Sequence, residues 1–336
     1  MKIERVVIRG LRALEDRDDS LVGPNGPHLS VCLRGSNGSG KTTWLEALAE
    51  LWQWFRRCTK RRAWVKPDRY PEHALLHEAR LVAARLSGLP GPRSDLWLAW
   101  GAASEVEGLV IGEEDPPLRV VDGVPVWDPE LLRWWDAHAS RAEAGVGHVP
   151  NVVFIGAEDK VVRSLKANEL FDATGMPAAL ALYRYQSQSK GPAHLEALIS
   201  ALKLVREDRF DLLSRWIREL LPGLELSGFD EQTRRPLFLL SRSGRVLTLD
   251  RLSAGERSVI INLVVLTRWL SPGGVVLLDE PELHQHISLM QGSMAVTEEL
   301  VRQLGGQLLV ASHAPEVWDH FRPRGALIDL AGRGRR

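Results

Sequence analysis

Nine residues, Gly35-Ser36-Asn37-Gly38-Ser39-Gly40-Lys41-Thr42-Thr43, constrain this chain more than any other stretch. They set two glycines, a lysine and a hydroxyl at the offsets of a phosphate-binding loop. Leu29, Val31 and Leu33 before them alternate as in a buried strand. Trp44, Leu45, Leu48, Leu51, Trp52 and Phe55 after them recur at helical spacing. That strand–loop–helix order gives the pattern its physical meaning. Glycines let the backbone curl so that successive N–H groups point inward, and the helix N-terminus adds partial positive charge, so an anion nests there. Lys41 is expected to reach the β- and γ-phosphates of a nucleotide and the Thr42 hydroxyl to ligate Mg²⁺, with Asn37, Gly38, Ser39, Gly40 and Thr43 completing the cradle. The alternative is a glycine-rich turn that merely caps a helix. It is disfavoured because strand, helix, lysine and threonine are all in register.

Three further motifs follow far downstream. Leu252-Ser253-Ala254-Gly255-Glu256 opens a helix through Val259, Ile260, Leu263, Val264 and Leu266. Ser253 and Glu256 have the spacing of a capping box, and a capped helix start is also an anion site, so Ser253, Gly255 and Glu256 are candidate nucleotide contacts. Val275 to Leu278 is an apolar strand ending in Asp279 and Glu280. Carboxylates at a strand end beside a phosphate loop hold Mg²⁺, so Asp279 is a candidate metal residue and Glu280 the candidate group that polarises an attacking water. Gln307 to Ser312 is another apolar strand, ending in His313 where a γ-phosphate sensor is expected. A zinc cluster of His284, His286, Glu280 and Glu282 is the weaker alternative.

Composition narrows the class. The formal net charge is zero, so nothing global advertises a nucleic-acid or membrane surface. No apolar run is long enough to span a bilayer, and Met1-Lys2-Ile3-Glu4-Arg5 is too charged for a signal-peptide core. Two cysteines, Cys32 on a strand and Cys58 in a basic loop, suggest no disulfide scaffold and fit a reducing cytoplasm.

Between the motifs the pattern predicts strands over Ile3–Ile8 and around Leu21-Val22, then a basic run, Arg56 to Arg62, which reads as a solvated helix end or as a contact for nucleic acid or an acidic partner. A helix is expected over 73–87. Short meander strands are expected at Leu96–Trp100, Leu109–Ile111 and Leu118–Val121. Asp128-Pro129 is a helix start, Val152–Ile155 a buried strand, 158–228 mostly helix, and Pro236–Leu240 with Val246–Leu249 a hairpin. Glu113, Glu114 and Asp115 read as a solvated turn, and Arg333 to Arg336 as a basic tail. Trp97, Trp100, Trp134 and Trp135 are candidates for a partner surface, with core packing an equal explanation.

Together the motifs resemble those of ABC-type ATPase heads of the structural-maintenance-of-chromosomes superclass. Gly35 to Thr43 resembles a Walker A motif, Leu252 to Glu256 an ABC signature, Val275 to Glu280 a Walker B motif, Pro281 to His286 a D-loop, and His313 a switch histidine. Within that class Met1 to Leu14, Asp279 to His286 and Ala311 to Pro315 resemble the stand-alone bacterial ATPases of the overcoming-lysogenization-defect group and of two-gene antiphage systems such as Septu. Ile287 departs from the proline of related D-loops. A Q-loop is not placed, Gln186 and Gln188 being the candidates.

The resemblance implies an α/β P-loop NTPase fold, an ABC-type head with a mixed sheet and a largely helical lobe. The ATPase core would be discontinuous, 1–55 and 236–336, with 56–235 as an insert of a small β-meander and a helical lobe. It implies ATP and Mg²⁺ as ligands, hydrolysis, and a homodimer or larger homo-oligomer in which Ser253 closes over nucleotide at a partner's Lys41. A separate effector protein (a nuclease, reverse transcriptase or toxin) is expected, with DNA or RNA as further partners, no membrane, and a cytoplasmic location. Only 23 residues follow His313, so no destructive chemistry is expected in this chain itself. The rival classes are a DNA-repair or recombination ATPase, a non-catalytic nucleotide switch and, weakest, a transporter ATPase.

Overall fold

The structure, a computed structural model, describes residues 1–65, 74–110, 116–121, 124–160, 177, 179–187, 194–324 and 326–330. Strand β1 (Lys2–Arg9) leads to β2 (Asp16–Ser20), a minimal hairpin of β3 (Val22–Gly23) and β4 (Gly26–Pro27), and then β5 (Ser30–Arg34), which runs through the phosphate loop into α1 (Lys41–Arg61). Next come α2 (Ala74–Glu78), β6 (Leu81–Ser87), β7 (Leu96–Gly101), α3 (Ala103–Val110), β8 (Leu118–Val121), β9 (Val124–Trp127), α4 (Pro129–Glu143), β10 (Val152–Ile155) and β11 (Leu182–Arg184). The chain continues through α5 (Leu195–Val205), α6 (Glu207–Leu220), β12 (Leu224–Phe229), β13 (Pro236–Leu240), β14 (Arg245–Thr248) and α7 (Ala254–Trp269). It ends with β15 (Val275–Asp279), α8 (Ile287–Gln303), β16 (Gln307–Ser312), α9 (Pro315–Phe321) and β17 (Leu327–Asp329).

Parallel and antiparallel pairing fall into separate sheets. Six strands in the order β11-β10-β15-β16-β5-β17 form an all-parallel sheet. Its inner strands are apolar without interruption because both faces are covered. Val31, Leu33, Val275, Leu277, Leu309 and Ala311 pack toward α1. The alternate residues Cys32, Val276, Leu278, Leu308 and Val310 pack toward the helical lobe of α5 to α8. The second sheet, β2-β1-β6-β7, is antiparallel. Helix α1 lies between the two, touching β15 and β16 on one side and β6 and β7 on the other. Its apolar residues therefore run nearly all round it, from Trp44 and Leu45 to Trp54, Phe55 and Cys58. Each such buried side chain contributes about 2 kcal/mol, so the loop at the head of α1 is anchored by its own helix.

Several expectations give way to long-range pairing. The helix expected over 73–87 is α2 followed by a strand, because Leu81 to Ala84 and Leu86 are buried and apolar and the segment pairs with β1 on one edge and β7 on the other. Leu109 and Val110 end helix α3 and are not a meander strand; Ile111 lies outside the described residues. Within 158–228 two strands, β11 and β12, accompany α5 and α6. The stretch 56–235 contributes strands to both sheets. Its first residues are the end of α1, β6 and β7 complete the antiparallel sheet, and β10 and β11 belong to the parallel one.

Cys58 lies on α1 and not in a loop, and both cysteines are buried and free. Part of the basic run is partnered within the fold: Arg56 and Arg62 both pair with Asp136 of α4, while Lys60 and Arg61 are exposed. Trp97 and Trp135 are buried in the core, and Trp100 and Trp134 pack against it, so these four do not form an open surface. Glu113, Glu114, Asp115, Gln188 and Arg333 to Arg336 lie outside the described residues.

Candidate nucleotide-binding site

The phosphate loop joins β5 to α1 with left-handed glycines at Gly38 (φ 78°) and Gly40 (φ 90°). Gly40 has a second constraint, since a Cβ there would stand 2.7 Å from Leu14 Cδ2. No side chain caps α1, so its first-turn N–H groups face the loop without an intrahelical partner. Lys41 is buried, and its Nζ donates to the carbonyls of Gly35 and Ser36, both at 2.9 Å. The Ser39 hydroxyl oxygen is buried with no partner. Asn37 is exposed at the tip of the loop, and Thr43 follows Thr42 in the first turn of α1.

The period of two along β15 puts Asp279 on the face of Val275 and Leu277, toward α1. There Thr42 Oγ1 donates to Asp279 Oδ2 at 2.8 Å. Asp279 is 2% exposed, and burial raises its carboxyl from 3.8 to about 6 despite that hydroxyl. Its other oxygen, Oδ1, is buried and unpaired. A buried carboxylate oxygen, a buried hydroxyl and a row of helix N–H groups, all lacking protein partners, fit Mg²⁺ and a polyphosphate. Thr42 and Asp279 would hold the ion, with phosphate and water supplying its remaining ligands.

Glu280 continues the β15–β16 ladder by donating its N–H to Ala311 O at 2.8 Å, then turns with φ 43°. Its Oε1 lies 3.2 Å from His313 Nδ1. Glu282 braces the same corner, accepting from Ser312 Oγ at 2.7 Å and from the His313 N–H at 3.3 Å. Among the described residues no group of three or more His, Cys, Asp and Glu is arranged to hold a metal, and His286 is occupied as the N-cap of α8.

Ser253 and Glu256 form the capping box expected of them: the Ser253 N–H donates to Glu256 Oε2 at 2.8 Å and the Glu256 N–H to Ser253 Oγ at 3.3 Å. Among the described residues, no hydrogen bond or ion pair joins Ser253, Gly255 or Glu256 to the phosphate loop of the same chain. Gly255 and the neighbouring Ser258 lie instead against the segment after Glu280. A Cβ on Gly255 would meet His284 O at 2.9 Å, and Gln285 Nε2 donates to Ser258 Oγ and Pro281 O at 3.2 and 3.0 Å.

One group escaped the sequence reading, and a second was read there only as a zinc-ligand alternative. Lys160, five residues past β10, is 2% exposed and its Nζ donates to the Glu280 carbonyl. Burial pulls its pKa from 10.5 down to about 8, while Glu282, Asp279 and Glu280 pull it back up. Glu282 is the other. The signal available was position: both follow the C-terminal ends of strands in the parallel sheet, where ligands of α/β proteins gather. A cleft of about 490 Å³ opens there, lined by Thr42, Glu46, Gly156, Asp159, Arg184 and Asp279 among others. Gln186 is exposed just past the edge strand β11.

The architecture is that of an α/β P-loop head of the SMC type. Among solved structures, the chain is similar to an Smc head crystallised with the C-winged-helix domain of ScpA, at 13% identity and a TM-score of 0.55, over 99% of this chain and 95% of that one. It is also similar to the SMC head domain from Thermotoga maritima, at 13% identity and a TM-score of 0.46, over 95% and 92% of the two chains. No protein-family profile and no curated protein sequence matches the chain.

Proposed function

We propose that this chain is a Mg²⁺-dependent ABC-type ATPase that dimerises head to head on ATP and controls a separate effector protein in a prokaryotic antiphage system. The observation that carries the ATPase reading is the 2.8 Å hydrogen bond from Thr42 to Asp279 at the uncapped head of α1. It joins residues 237 positions apart at one point, beside a buried lysine. Bound there, Mg²⁺ would neutralise phosphate charge as the γ-phosphoryl group is transferred to water. Lys41 would exchange its two loop carbonyls for phosphate oxygens, and the α1 N–H groups would fix the phosphates in place. His313 engages Glu280 Oε1, which leaves Oε2 to accept a hydrogen bond from the attacking water.

The dimer is supported by the separation of Ser253 and Gly255 from their own phosphate loop. With no hydrogen bond or ion pair to its own loop among the described residues, the signature is available to close a partner's site. A separate protein partner is in keeping with the Smc head of similar fold, which is bound to a winged-helix domain. The defence role and the cytoplasmic setting rest on the resemblance of Met1 to Leu14, Asp279 to His286 and Ala311 to Pro315 to stand-alone bacterial ATPases.

Phosphate release by the purified chain, its Glu280→Gln variant and its Lys41→Ala variant tests the enzyme. Glu280→Gln should bind Mg-ATP and hydrolyse it at least about 100-fold more slowly, and run as a dimer on sizing only with ATP. Hydrolysis at the parent rate would remove Glu280 from its role. Phage plating on cells carrying the chain and its neighbouring genes, with and without Lys41→Ala, tests the biology. ATP-dependent DNA binding with no effect on plating would favour the repair reading.

A further inference from the structure

Lysine is rarely buried without partners, and Lys160 is buried against backbone. Its Nζ donates to the carbonyl oxygen of Glu280, with Asp279, Glu280 and Glu282 supplying negative charge around it. That contact bears on the least ordinary backbone in the site. Glu280 has φ 43°, a left-handed conformation that costs a non-glycine residue free energy unless its surroundings impose it. Three contacts impose it here. The Glu280 N–H is tied to Ala311 O at 2.8 Å, its carboxylate meets His313 Nδ1 at 3.2 Å, and its carbonyl is taken by Lys160.

The first two anchors come from β16 and the residue that follows it. Only Lys160 comes from the other side of β15. Strand β10 pairs with β15 in parallel register, Ile155 opposite Leu278, so the segment after β10 runs alongside the segment after β15. That segment is held in place independently of Glu280: Asp159 Oδ1 accepts from the Ser187 N–H at 3.2 Å, which ties it to the residues past β11. Lys160 is thus a donor presented from a neighbouring strand end to the carbonyl of the turn that carries the Glu280 side chain.

We propose that Lys160 is a positioning residue for hydrolysis, whose ammonium holds Glu280 in its left-handed turn and so aims the Glu280 carboxylate. The proposal rests on reading this site as an ATPase with Glu280 at the water. Lys160 does no chemistry at Nζ; it acts through Glu280. Its loss should therefore slow the chemical step and spare binding, because displacement of a reacting group by about 1 Å costs on the order of 100-fold in rate.

The full chain, Lys160→Met, Lys160→Arg, Glu280→Gln and the double variant Lys160→Met/Glu280→Gln are compared. Equilibrium binding of a fluorescent ATP analogue with Mg²⁺, steady-state phosphate release and the melting temperature without nucleotide are measured. Lys160→Met should bind the analogue within about threefold of the parent and keep its KM within about threefold, while kcat falls about 100-fold. Lys160→Arg, which keeps a charged donor, should recover about tenfold of that loss. In the Glu280→Gln background, Lys160→Met should have no further effect on kcat, since two changes that act through one group do not multiply. If Lys160→Met melts more than about 10 °C below the parent, Lys160→Gln, which keeps an N–H donor, replaces it with kcat expected between parent and Glu280→Gln. A Lys160 variant that binds the analogue and hydrolyses at the parent rate overturns the proposal, as does a multiplicative loss in the double variant. A parent chain that neither binds nor hydrolyses Mg-ATP overturns the ATPase reading itself.

Discussion

Glu50 lies about two and a half turns into α1 from Lys41, 8% exposed, in a helix packed on both sides. Its Oε2 accepts from the backbone N–H groups of Leu75 and Leu76 at 3.0 and 3.2 Å, which ties α2 to α1. Burial outweighs those two donors, with Glu46 adding to it and Arg184 opposing it, and pushes the carboxyl from 4.5 up to about 7. The sign follows from which state ionises first. Below pH 4.5 the carboxyl is protonated in both folded and unfolded chains and has no effect on stability. As pH rises toward 7 the unfolded chain releases the proton while the folded one keeps it, so stability falls; above that the loss is complete. About 2.5 pH units at about 1.4 kcal/mol each set the full loss at no more than about 3.5 kcal/mol. Glu50→Gln keeps an oxygen for the Leu75 and Leu76 N–H groups and removes the ionisation. In urea unfolding at pH 5 and pH 8, the variant should gain on the parent by about 2 kcal/mol more at the higher pH. Parallel stabilities for parent and variant across that range would show that Glu50 ionises freely in the folded protein and refute the argument.

Other perturbations reach the site more directly. Lys41→Ala should weaken Mg-ATP binding at least about tenfold, read by titration of a fluorescent analogue, because it removes the loop's fixed positive charge. Thr42→Val leaves both Asp279 oxygens without a protein donor, and the benefit of Mg²⁺ to ATP binding should shrink by about 1.5–3 kcal/mol when titrations with Mg²⁺ and with EDTA are compared. Gly255→Ala sets a methyl 2.9 Å from His284 O; it should lower folding stability by about 1–3 kcal/mol in urea and slow ATP hydrolysis with it. Mixing Lys41→Ala with Ser253→Arg chains, each inactive alone, should restore phosphate release from about one working site per heterodimer; no recovery would count against a shared site.

What the sequence determined by itself was written in contiguous residues. The phosphate loop sits between a strand and a helix because Val31, Leu33, Trp44, Leu45 and Leu48 carry the two periods that flank it, and the Ser253 capping box and the Asp128-Pro129 helix start are complete within four residues. The end of β15 was legible for the same reason: an unbroken apolar run signals a strand covered on both faces, and Asp279 marks where it leaves the core.

What only the tertiary structure decided depended on partners distant in the chain. Leu81 to Ser87 is apolar enough for helix or strand, and its pairing with β1 settles it. Trp97 and Trp135 could equally have faced a partner until the core closed over them. Strands β7 and β10 were legible as strands, but which sheet each joins, and that β6 and β11 join a sheet at all, was decided by pairing, which is a property of two segments. Lys160 follows the same logic. In sequence it is one charged residue among several after a short strand; parallel pairing of β10 with β15 brings its ammonium to the Glu280 carbonyl, 120 residues away. Local periodicity is fixed by backbone geometry and side-chain polarity at neighbouring positions, whereas the burial that turns a lysine into part of a site is set by which surfaces the fold brings together.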